Sequence, residues 1–385
     1  MEKTCALVLG GYINGYSIIR ELSEKGVEHI ILFDSSRSLG SFSNKIRKFV
    51  LVKKDPANLL EALKELHKIY PYIVIFPTND VYLEDLFQIC EQINDFCFIP
   101  FNEKNLIRSL DKIYQYDFCD RLNIPYPKTI VLERADDLKN LDTLQLPIIV
   151  KPNRREDLKI KVFRNIQLYT KTELTEALPK LIDYLNNGLT FLVSEIIPGD
   201  GSNIFAYVGY RSRQRKILNE WTGRKLAQFP NNFGVFASAS NKAPKEVLEQ
   251  GRVLINGMDL LGIVEPEFKY DYRDKKYKLM EINLRSMMWH RVGNLSGVNI
   301  QYTQYLDAIG KESQKQLQNK EKDIHFVYFQ HEFYNLITQK GYAKTFWNNI
   351  FKSDKTHFAV FNFSDLLPSI IDIFSVPRKM KERNV

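Results

Sequence analysis

The chain has 385 residues, of which 44% are hydrophobic, and 54 lysines and arginines against 46 aspartates and glutamates give a net charge of +8. This length suggests two or three domains, and the hydrophobic share is ample for folded cores, so an intrinsically disordered chain is not the default interpretation. The small positive excess suits a polyanionic ligand, an anionic surface or no specific partner equally well. No compact basic cluster with interleaved aromatic residues is present, so nucleic-acid binding is not indicated.

The cysteines and the start of the chain indicate an intracellular protein. Cys5, Cys90, Cys97 and Cys119 lack the spacing of a zinc site and fall in apolar or amphipathic segments, so we expect buried free thiols. The first residues, MEKTCALVLGG, contain one short apolar strand rather than a signal peptide, and no run approaches a membrane span. We therefore expect a cytoplasmic enzyme or binding protein.

The first hundred residues alternate predicted strands and helices. This alternation predicts a mainly parallel sheet with helices on both faces, which binds ligands beyond the carboxyl ends of its strands. Six residues follow such strand ends: Gly10, Gly11, Asp34, Thr78, Asn79 and Asp80. The glycine order GGYING does not meet the dinucleotide fingerprint G-x-G-x-x-G, and we interpret these glycines as a tight turn onto a helix.

Two lysines further along the chain are candidate functional residues. Asp111 can cap a predicted helix over residues 112–122, which puts Lys112 in the first turn, at the positive end of the helix. Lys151 closes the apolar strand of LPIIVKPN, a costly place for an unpaired ammonium group. A lone lysine at a helix start is more commonly a surface residue, and this alternative remains open.

Residues 264–285, VEPEFKYDYRDKKYKLMEINLR, predict two strands joined by a polar turn. Because side chains alternate between the faces of a strand, Glu281, Asn283 and Arg285 share one face, and pairing brings Glu267 opposite them. Oxygen ligands of this kind suit Mg²⁺, which keeps substrate phosphates and water in its shell. The alternative is the solvated face of an ordinary antiparallel hairpin.

Between these segments we predict a helix over residues 172–186 and strands over 189–193, 203–210 and 215–222. Residues 223–240, GRKLAQFPNNFGVFASAS, are expected to form a long irregular loop, and loops of that length are often functional. A further helix is predicted over residues 245–261.

Taken together in this order, the pieces resemble the ATP-grasp superfamily from about residue 112 to residue 310. The resemblance implies an α/β and α+β protein. A parallel-sheet α/β domain (residues 1–103) precedes an ATP-grasp domain of two α+β subdomains (104–310), and a C-terminal extension (311–385) follows. The segments RKLAQFPNNFG and SMMWHRVGNLSGVNIQYTQYLDAIG resemble the carboxylate–amine ligase branch, which includes D-aspartate ligase and enzymes that modify cell-wall or surface-glycan precursors.

The resemblance also implies roles for individual residues. Lys112 and Lys151 would contact ATP phosphates, SEIIPG would hold adenine, and Arg285 would steady the transferred phosphoryl group or a substrate carboxylate. Mg²⁺ or Mn²⁺ ligands are implied at Glu267, Glu281 and Asn283. The remaining implied nucleotide contacts are Glu195, Ile196, Ile197 and, for the ribose, Asp200 or Asn203.

An ATP-grasp ligase phosphorylates a carboxylate with ATP, and an amine then displaces phosphate from the acyl phosphate. Segments 153–165 and 223–240 are the implied lids that exclude water, although NRREDLKIKVFRN lacks the glycines that the family often has there. Arg224 and Lys225 are candidate ligands of the acid substrate, with a solvated basic turn as the alternative. His290 and Arg291 are further candidates, and a packed or hydrogen-bonded histidine is the interpretation we favour for the first.

The expected partners are ATP, a small carboxylate and an amine, with a nucleotide sugar or glycan precursor among the candidates, and the expected assembly is a homodimer.

In the C-terminal part of the chain, strands are predicted within 323–333 and over 358–363. The apolar run 366–374 precedes the basic PRKMKERNV; we expect a helix docked on its own domain, with contact to an anionic membrane as the alternative. Two other functions stay open: a nucleotide-binding scaffold without catalysis, and a nicotinamide-dependent oxidoreductase.

Overall fold

The computed structural model describes residues 4–153, 162–163, 165–230 and 234–381. The chain forms two compact units. The first comprises Met1–Ile124, Gly199–Lys269 and Glu281–Val385, and the second comprises Pro125–Pro198 and Tyr270–Met280. The division predicted from the sequence (1–103, 104–310 and 311–385) follows family resemblance rather than compactness, and it stays a prediction.

The first unit begins with a five-stranded parallel sheet in the order β3-β2-β1-β4-β5, as the alternating pattern predicts. Its strands are β1 Thr4–Leu9, β2 Ile30–Asp34, β3 Lys48–Leu51, β4 Tyr72–Pro77 and β5 Cys97–Phe98. Three helices connect them: α1 Ile13–Glu24, α2 Pro56–His67 and α3 Asp80–Ile93. Leu9 is in register with Phe33 and Pro77, so β1, β2 and β4 end at one edge of the sheet.

Polar contacts fix that edge. The Gly11 amide donates to Asp34 Oδ2 (2.9 Å), and Thr78 Oγ1 donates to the Leu9 carbonyl (2.6 Å). Gly10 has a φ of +90°, and a Cβ there would lie 2.3 Å from Thr78 Oγ1, so only glycine fits this turn. The glycine pair is therefore a tight turn onto α1, as we interpret it from the sequence.

A seven-stranded sheet in the order β14-β13-β10-β11-β12-β15-β16 lies mostly in the same unit, except that Tyr270–Met280, at the turn between β13 and β14, is assigned to the second unit. Its strands are β10 Ile204–Arg211, β11 Ile217–Phe229, β12 Val235–Ser240, β13 Gly262–Asp271, β14 Lys276–Asn283, β15 Ile324–Val327 and β16 Lys355–Phe358. The unit's other helices are α4 Leu106–Ser109, α5 Lys112–Leu122, α7 Lys245–Gly257, α8 Arg291–Leu295, α9 Ile300–Ala308, α10 Phe329–Thr338, α11 Ala343–Phe351 and α12 Leu367–Lys381. Trp221 and Trp289, each 1% exposed, pack edge to face at 5.3 Å within the core beside this sheet.

The second unit is built on a four-stranded sheet in the order β6-β9-β7-β8. The strands are β6 Thr129–Leu132, β7 Ile148–Pro152, β8 Ile166–Leu168 and β9 Phe191–Glu195, and helix α6 spans Lys171–Asn186. A buried apolar cluster that includes Val150, Leu181 and Phe191 forms its core.

Three predicted segments differ in the structure. The predicted loop over 223–240 is wrong: β11 runs on to Phe229 and β12 occupies Val235–Ser240, because pairing of β11 with β10 and β12 outweighs the weak strand propensity of Gly, Ala and Ser. The strand predicted within 323–333 ends at Val327, and the strand predicted over 358–363 lies instead at Lys355–Phe358. Among the described residues, no helix is long and apolar enough to cross a membrane.

Candidate active site

In the structure, β13 and β14 carry polar side chains on one shared face, as the alternation of side chains along a strand predicts. Glu265 and Glu267 lie two residues apart on β13, are 0% and 6% exposed, and share one face. Asn283 of β14 points to the same side, and its Nδ2 donates to Glu265 Oε1 (3.3 Å). Glu281 belongs to the same group of charges, since its carboxylate acts on the pKa of Glu267.

Lys225 neutralises part of this negative charge. It lies on β11, and its Nζ is 2.6 Å from Glu267 Oε2, with both side chains at most 8% exposed. Ala206 of β10 pairs with Glu267 and has a small side chain, which leaves room for the lysine to cross β10. Burial raises the pKa of Glu267 to about 7; Lys225 opposes this rise, and the carboxylates of Glu281 and Glu265 add to it.

Lys112 provides the second cation. Asp111 caps α5 by accepting from the amides of Ile113 and Tyr114, as the sequence predicts, and Lys112 is the first residue of the helix. Its Nζ lies 3.2 Å from Glu281 Oε2. Burial lowers the pKa of Lys112, but Glu281 and its neighbours outweigh that effect, so the pKa is raised and the ammonium form is kept.

Gln115 fixes the strand that carries these groups. Its Oε1 accepts from the Ile282 amide (3.0 Å), between Glu281 and Asn283, and its Nε2 donates to the Ser109 carbonyl (2.8 Å). The glutamine is 2% exposed. Helix α5 therefore orients both its own lysine and the ligand-bearing end of β14.

These residues fit a divalent cation. Among the described residues, no donor makes a well-directed hydrogen bond to the buried Glu267 Oε2; its contact with Lys225 is an ion pair. The described residues also contain no group of three His, Cys, Asp or Glu side chains arranged to hold a metal ion. A set of two glutamates and one asparagine instead suits Mg²⁺, which is commonly bound by one or two carboxylates together with substrate phosphates.

His290 and Arg291 have structural partners. His290 Nε2 lies 2.5 Å from Glu265 Oε2, and the histidine is 2% exposed, so it is the hydrogen-bonded histidine that we favour. Arg291 Nη2 donates to Glu24 Oε1 on α1 (2.6 Å). Any contact of these two residues with a substrate stays a prediction.

Arg285 lies at the edge of the parallel sheet. Its Nε and Nη2 donate to the two carboxylate oxygens of Asp80, at 2.8 and 3.2 Å, in a bidentate pair. It also lines a cavity of about 910 Å³ at the carboxyl ends of β1, β2 and β4. Five of the six predicted strand-end residues lie here: Gly10, Gly11, Asp34, Thr78 and Asn79 line the cavity, together with Arg37 and Lys54.

The second unit contains the predicted adenine contacts and Lys151, one of the two lysines predicted to contact phosphates. Lys151 lies on β7 in register with Leu192 of β9. At the end of β9, Glu195 Oε1 accepts from the Gln145 amide (2.9 Å), and the Ile196 amide donates to the Pro147 carbonyl (2.8 Å).

The predicted ribose contacts belong to the first unit. Asp200 caps the turn Gly201–Asn203, where its Oδ1 accepts from the Ser202 amide (2.9 Å). The Lys269 Nζ, on the face of β13 that carries Glu267, donates to the Gly199 carbonyl (2.6 Å).

Some predicted site residues lie on a different element from the one expected, and others lie outside the described residues. Arg224 and Lys225 are on β11 rather than in a loop, because residues 223–229 pair with β10 and β12. Most of the predicted lid over 153–165, with Arg154, Arg155, Lys159 and Lys161, lies outside the described residues, as do residues 231–233 of the second predicted lid.

Strand alternation puts Glu265 on the same face as Glu267, but the sequence prediction gives Glu265 no role in the site. It misses Asp80 as the partner of Arg285, and it misses Gln115. The contacts of Asp80 and Gln115 join residues far apart in the sequence, and no local pattern announces them.

Known proteins resemble this chain in sequence and in structure. No family model matches the chain. The chain is 23% identical over 318 residues to D-aspartate ligase from Enterococcus faecium (strain Aus0004), which covers 78% of this chain and 75% of that protein. The crystal structure of the ADP complex of N5-carboxyaminoimidazole ribonucleotide synthetase superposes with a TM-score of 0.65 at 12% identity, covering 88% of this chain and 85% of that one.

A second solved structure is similar. The biotin carboxylase domain dimer of 2-oxoglutarate carboxylase from Hydrogenobacter thermophilus, in complex with MgADP, ADP and bicarbonate, gives a TM-score of 0.62 at 14% identity, covering 82% of this chain and 72% of that one. The chain has the ATP-grasp fold. D-aspartate ligase is one of the ligases that the predicted resemblance names, so that resemblance is confirmed, and the structural neighbours confirm the predicted fold class.

Proposed function

We propose that this protein is an ATP-dependent, ADP-forming ligase of the cytoplasm that joins a carboxylate to an amine through an acyl phosphate. The observation that carries the proposal is the buried pair Glu265 and Glu267, with the half-buried Glu281 beside them, facing the ammonium groups of Lys112 and Lys225. When Glu267 is ionised, three carboxylates against two lysines leave a negative charge in a site whose centre is buried. A divalent cation would offset that charge, and nucleotide phosphates would complete the shell of the cation, whereas the face of an ordinary solvated hairpin has no need of such a buried group.

In the proposed reaction, the substrate carboxylate attacks the γ-phosphorus of ATP and ADP leaves. The amine then attacks the acyl carbon, loses a proton, and expels phosphate. Because phosphoryl transfer requires mainly in-line positioning and neutralisation of charge, this chain has little covalent chemistry to do.

We assign roles as follows. Glu267, Glu281 and Asn283 would hold Mg²⁺, or Mn²⁺, which when bound would neutralise charge on the transferring phosphoryl group. Lys112 and Lys151 would bind phosphates, with Lys112 exchanging Glu281 for a phosphate oxygen. Glu195, with the backbone of Ile196 and Ile197, would hold the adenine, and Asp200 or Asn203 would hold the ribose.

The cavity beside Arg285 is the proposed site of the acid substrate. Arg37, Lys54 and Arg285 line it. The carboxylate of Asp34, on the same wall, already accepts from the Gly11 amide, the Ser35 amide and Ser38 Oγ. Three cations against the carboxylates of Asp34 and of Asp80, which is paired with Arg285, leave one positive charge, which suits a carboxylate or a phosphorylated precursor such as a nucleotide-linked sugar.

The test is release of ADP and phosphate by the purified protein across a matrix of amino acids, amino sugars and nucleotide-linked sugars, with and without Mg²⁺. We expect release that requires one acid and one amine together, with mass spectrometry giving an amide product. ATP binding without release under every condition would instead support a non-catalytic nucleotide-binding relative. Sedimentation of the same sample tests the proposed homodimer.

A further inference from the structure

The C-terminal part of the chain exposes an unusual amount of apolar surface. Of the 23 large hydrophobic side chains that are exposed among the described residues, twelve fall between residues 329 and 374. They are Phe329, Phe333, Ile337, Trp347, Phe351, Phe361, Phe363, Leu366, Leu367, Ile370, Ile373 and Phe374, here called the C-terminal apolar face. Scattered exposed hydrophobic residues are normal on proteins, but such a concentration marks an interaction site.

Helices α10 and α11 carry part of this face in a regular arrangement. Phe329, Phe333 and Ile337 follow one another at four-residue spacing on α10 and therefore form one stripe. On α11, the rings of Trp347 and Phe351 are 4.3 Å apart and are 60% and 58% exposed. The two helices pack together, with the Phe329 ring 6.2 Å from that of Phe346.

Helix α12 continues the face. Asp372 is 6% exposed and binds the start of α10, where Tyr328 Oη donates to its Oδ1 (2.9 Å). The adjacent residues Ile373 and Phe374 are 67% and 77% exposed. The helix is thus docked on its own unit through one side, as we expect from the sequence, and presents apolar side chains on another.

The exposed charges of residues 329–374 are mostly positive. Lys340, Lys344, Lys352 and Lys355 are exposed, against the single exposed acid Asp354 among the described side chains of this segment. The other acids of the segment are buried and used internally: Glu332 binds Ser238, Tyr342 and Asn349, Asp365 binds Ser43, and Asp372 binds Tyr328. An apolar face edged by lysines is complementary to anionic lipid headgroups above an acyl layer.

We propose that the C-terminal apolar face binds the surface of an anionic lipid membrane, with its apolar side chains in the interface and its lysines at the headgroups. A second copy of the chain is a poorer partner, because a symmetric contact through the same patch would bring its lysines together. The proposal concerns binding in the plane of the membrane surface and stands independently of the ligase activity.

Trp347 supplies a probe for the experiment. The chain has three tryptophans, and the other two, Trp221 and Trp289, are each 1% exposed, so a lipid-dependent fluorescence change reports on Trp347. Full-length protein is titrated with vesicles of phosphatidylcholine alone, or of phosphatidylcholine and phosphatidylglycerol, at low and high salt. We expect a blue shift and co-sedimentation with the anionic vesicles, weakened by salt and by omission of the anionic lipid.

Two paired substitutions separate the apolar from the charged contribution. Phe351→Ser with Phe363→Ser, and Lys344→Glu with Lys352→Glu, should each weaken vesicle binding about tenfold or more. The matched controls are Leu51→Ser with Ile69→Ser and Lys53→Glu with Lys64→Glu, exposed residues far along the chain from the face, which should bind as wild type. All of these positions are exposed, so melting temperatures should be unchanged.

Three results would overturn the proposal. The first is absence of binding to anionic vesicles, and the second is equal loss of binding in the control variants. The third is a dimer in sedimentation velocity that the face substitutions dissociate while vesicle binding stays unaffected. That last result would assign the face to a second copy of the chain.

Discussion

Lys225 and Glu267 are buried together, and neither charge has access to bulk water to replace its partner. Removing one member of such a pair leaves the charge of the other buried and uncompensated, whereas removing both members removes both charges of the pair. Lys225→Met should therefore lower the free energy of unfolding by about 3 kcal/mol in urea titrations. Adding Glu267→Gln to it should restore most of the loss.

The exposed pair Lys245–Glu249, 2.7 Å apart, supplies the control. Lys245→Met should leave the free energy of unfolding within experimental error of wild type, because solvent screens exposed pairs. Additive losses from the two buried substitutions would show that Lys225 and Glu267 are not energetically coupled.

Glu281 is a position where a substitution should remove metal-dependent activity without changing the stability of the fold. It is half-buried and makes its ion pair with a lysine that is itself partly exposed. Glu281→Gln should abolish Mg²⁺-dependent ADP release while leaving the melting temperature nearly unchanged, and Glu249→Gln should affect neither. Undiminished ADP release by Glu281→Gln would remove Glu281 from the proposed metal site.

At the scale of elements, helix α7 approaches β10 so closely that only glycine fits. A Cβ on Gly251 would lie 2.2 Å from Cγ of Tyr207, which is fully buried and held by a hydrogen bond from its hydroxyl to Glu220 (2.8 Å). On an exposed helix, alanine would gain about 1 kcal/mol over glycine. Here the clash should reverse the sign, and Gly251→Ala should destabilise the protein by about 1–3 kcal/mol.

Chemical unfolding of Gly251→Ala beside Glu246→Ala, an exposed position on the same helix, measures this effect. Stabilisation of the Gly251 variant would mean that α7 moves away from β10 at little cost. An unchanged Glu246 variant would exclude a general effect of helix propensity.

A buried glutamate at the contact between α1 and α9 should make the stability of the protein depend on pH. Glu21 on α1 is 1% exposed, and its Oε1 accepts from the Tyr302 amide on α9 (3.0 Å). Burial raises its pKa from 4.5 to about 7. The folded protein thus keeps a proton that the unfolded chain releases near pH 4.5, so Glu21 makes the fold less stable as the pH rises from about 4.5 to 7.

Glu21→Gln mimics the protonated form and removes this dependence. Between pH 5 and pH 8, the variant should gain on wild type by on the order of 2 kcal/mol in the free energy of unfolding. Glu61→Gln, on an exposed position of α2, should differ from wild type equally at both pH values. A constant difference for Glu21→Gln as well would show that Glu21 is already ionised in the folded protein.

Some elements could be predicted from their local sequence, and others could not, because neighbouring strands and helices determine them. The hairpin of β13 and β14 was predictable, because alternation puts Glu267, Glu281 and Asn283 on one face whatever surrounds them. The continuation of β11 through Gly223 was not, because its strand character comes from the neighbours β10 and β12. Beyond Val327, the alternating run FVYFQHEF also matches helical spacing at Phe329 and Phe333, and packing decides between the two patterns.

At the scale of the molecule, the predicted C-terminal extension is part of the central sheet. Strand β15 pairs with β12, with Ser240 in register with His325, and β16 pairs with β15. Glu332, fully buried, joins this region to β12 through Ser238. Deleting residues 321–385 should therefore expose the edge of β12 and give an aggregating protein.

The soluble fraction after expression, followed by a thermal melt, checks this expectation. A truncated chain that stays soluble and melts cooperatively would show that β15 and β16 are dispensable to the sheet. The full chain expressed in parallel is the reference.

The position of β15 has a consequence for synthesis of the chain on the ribosome. Residues 235–240 emerge well before residues 324–327, and at about 5–20 residues per second the interval lasts several seconds. During that time β12 has no partner on the side that β15 later covers, and its open edge can pair with another nascent chain. Slower translation between these segments should lower the yield of native protein, and faster translation should raise it.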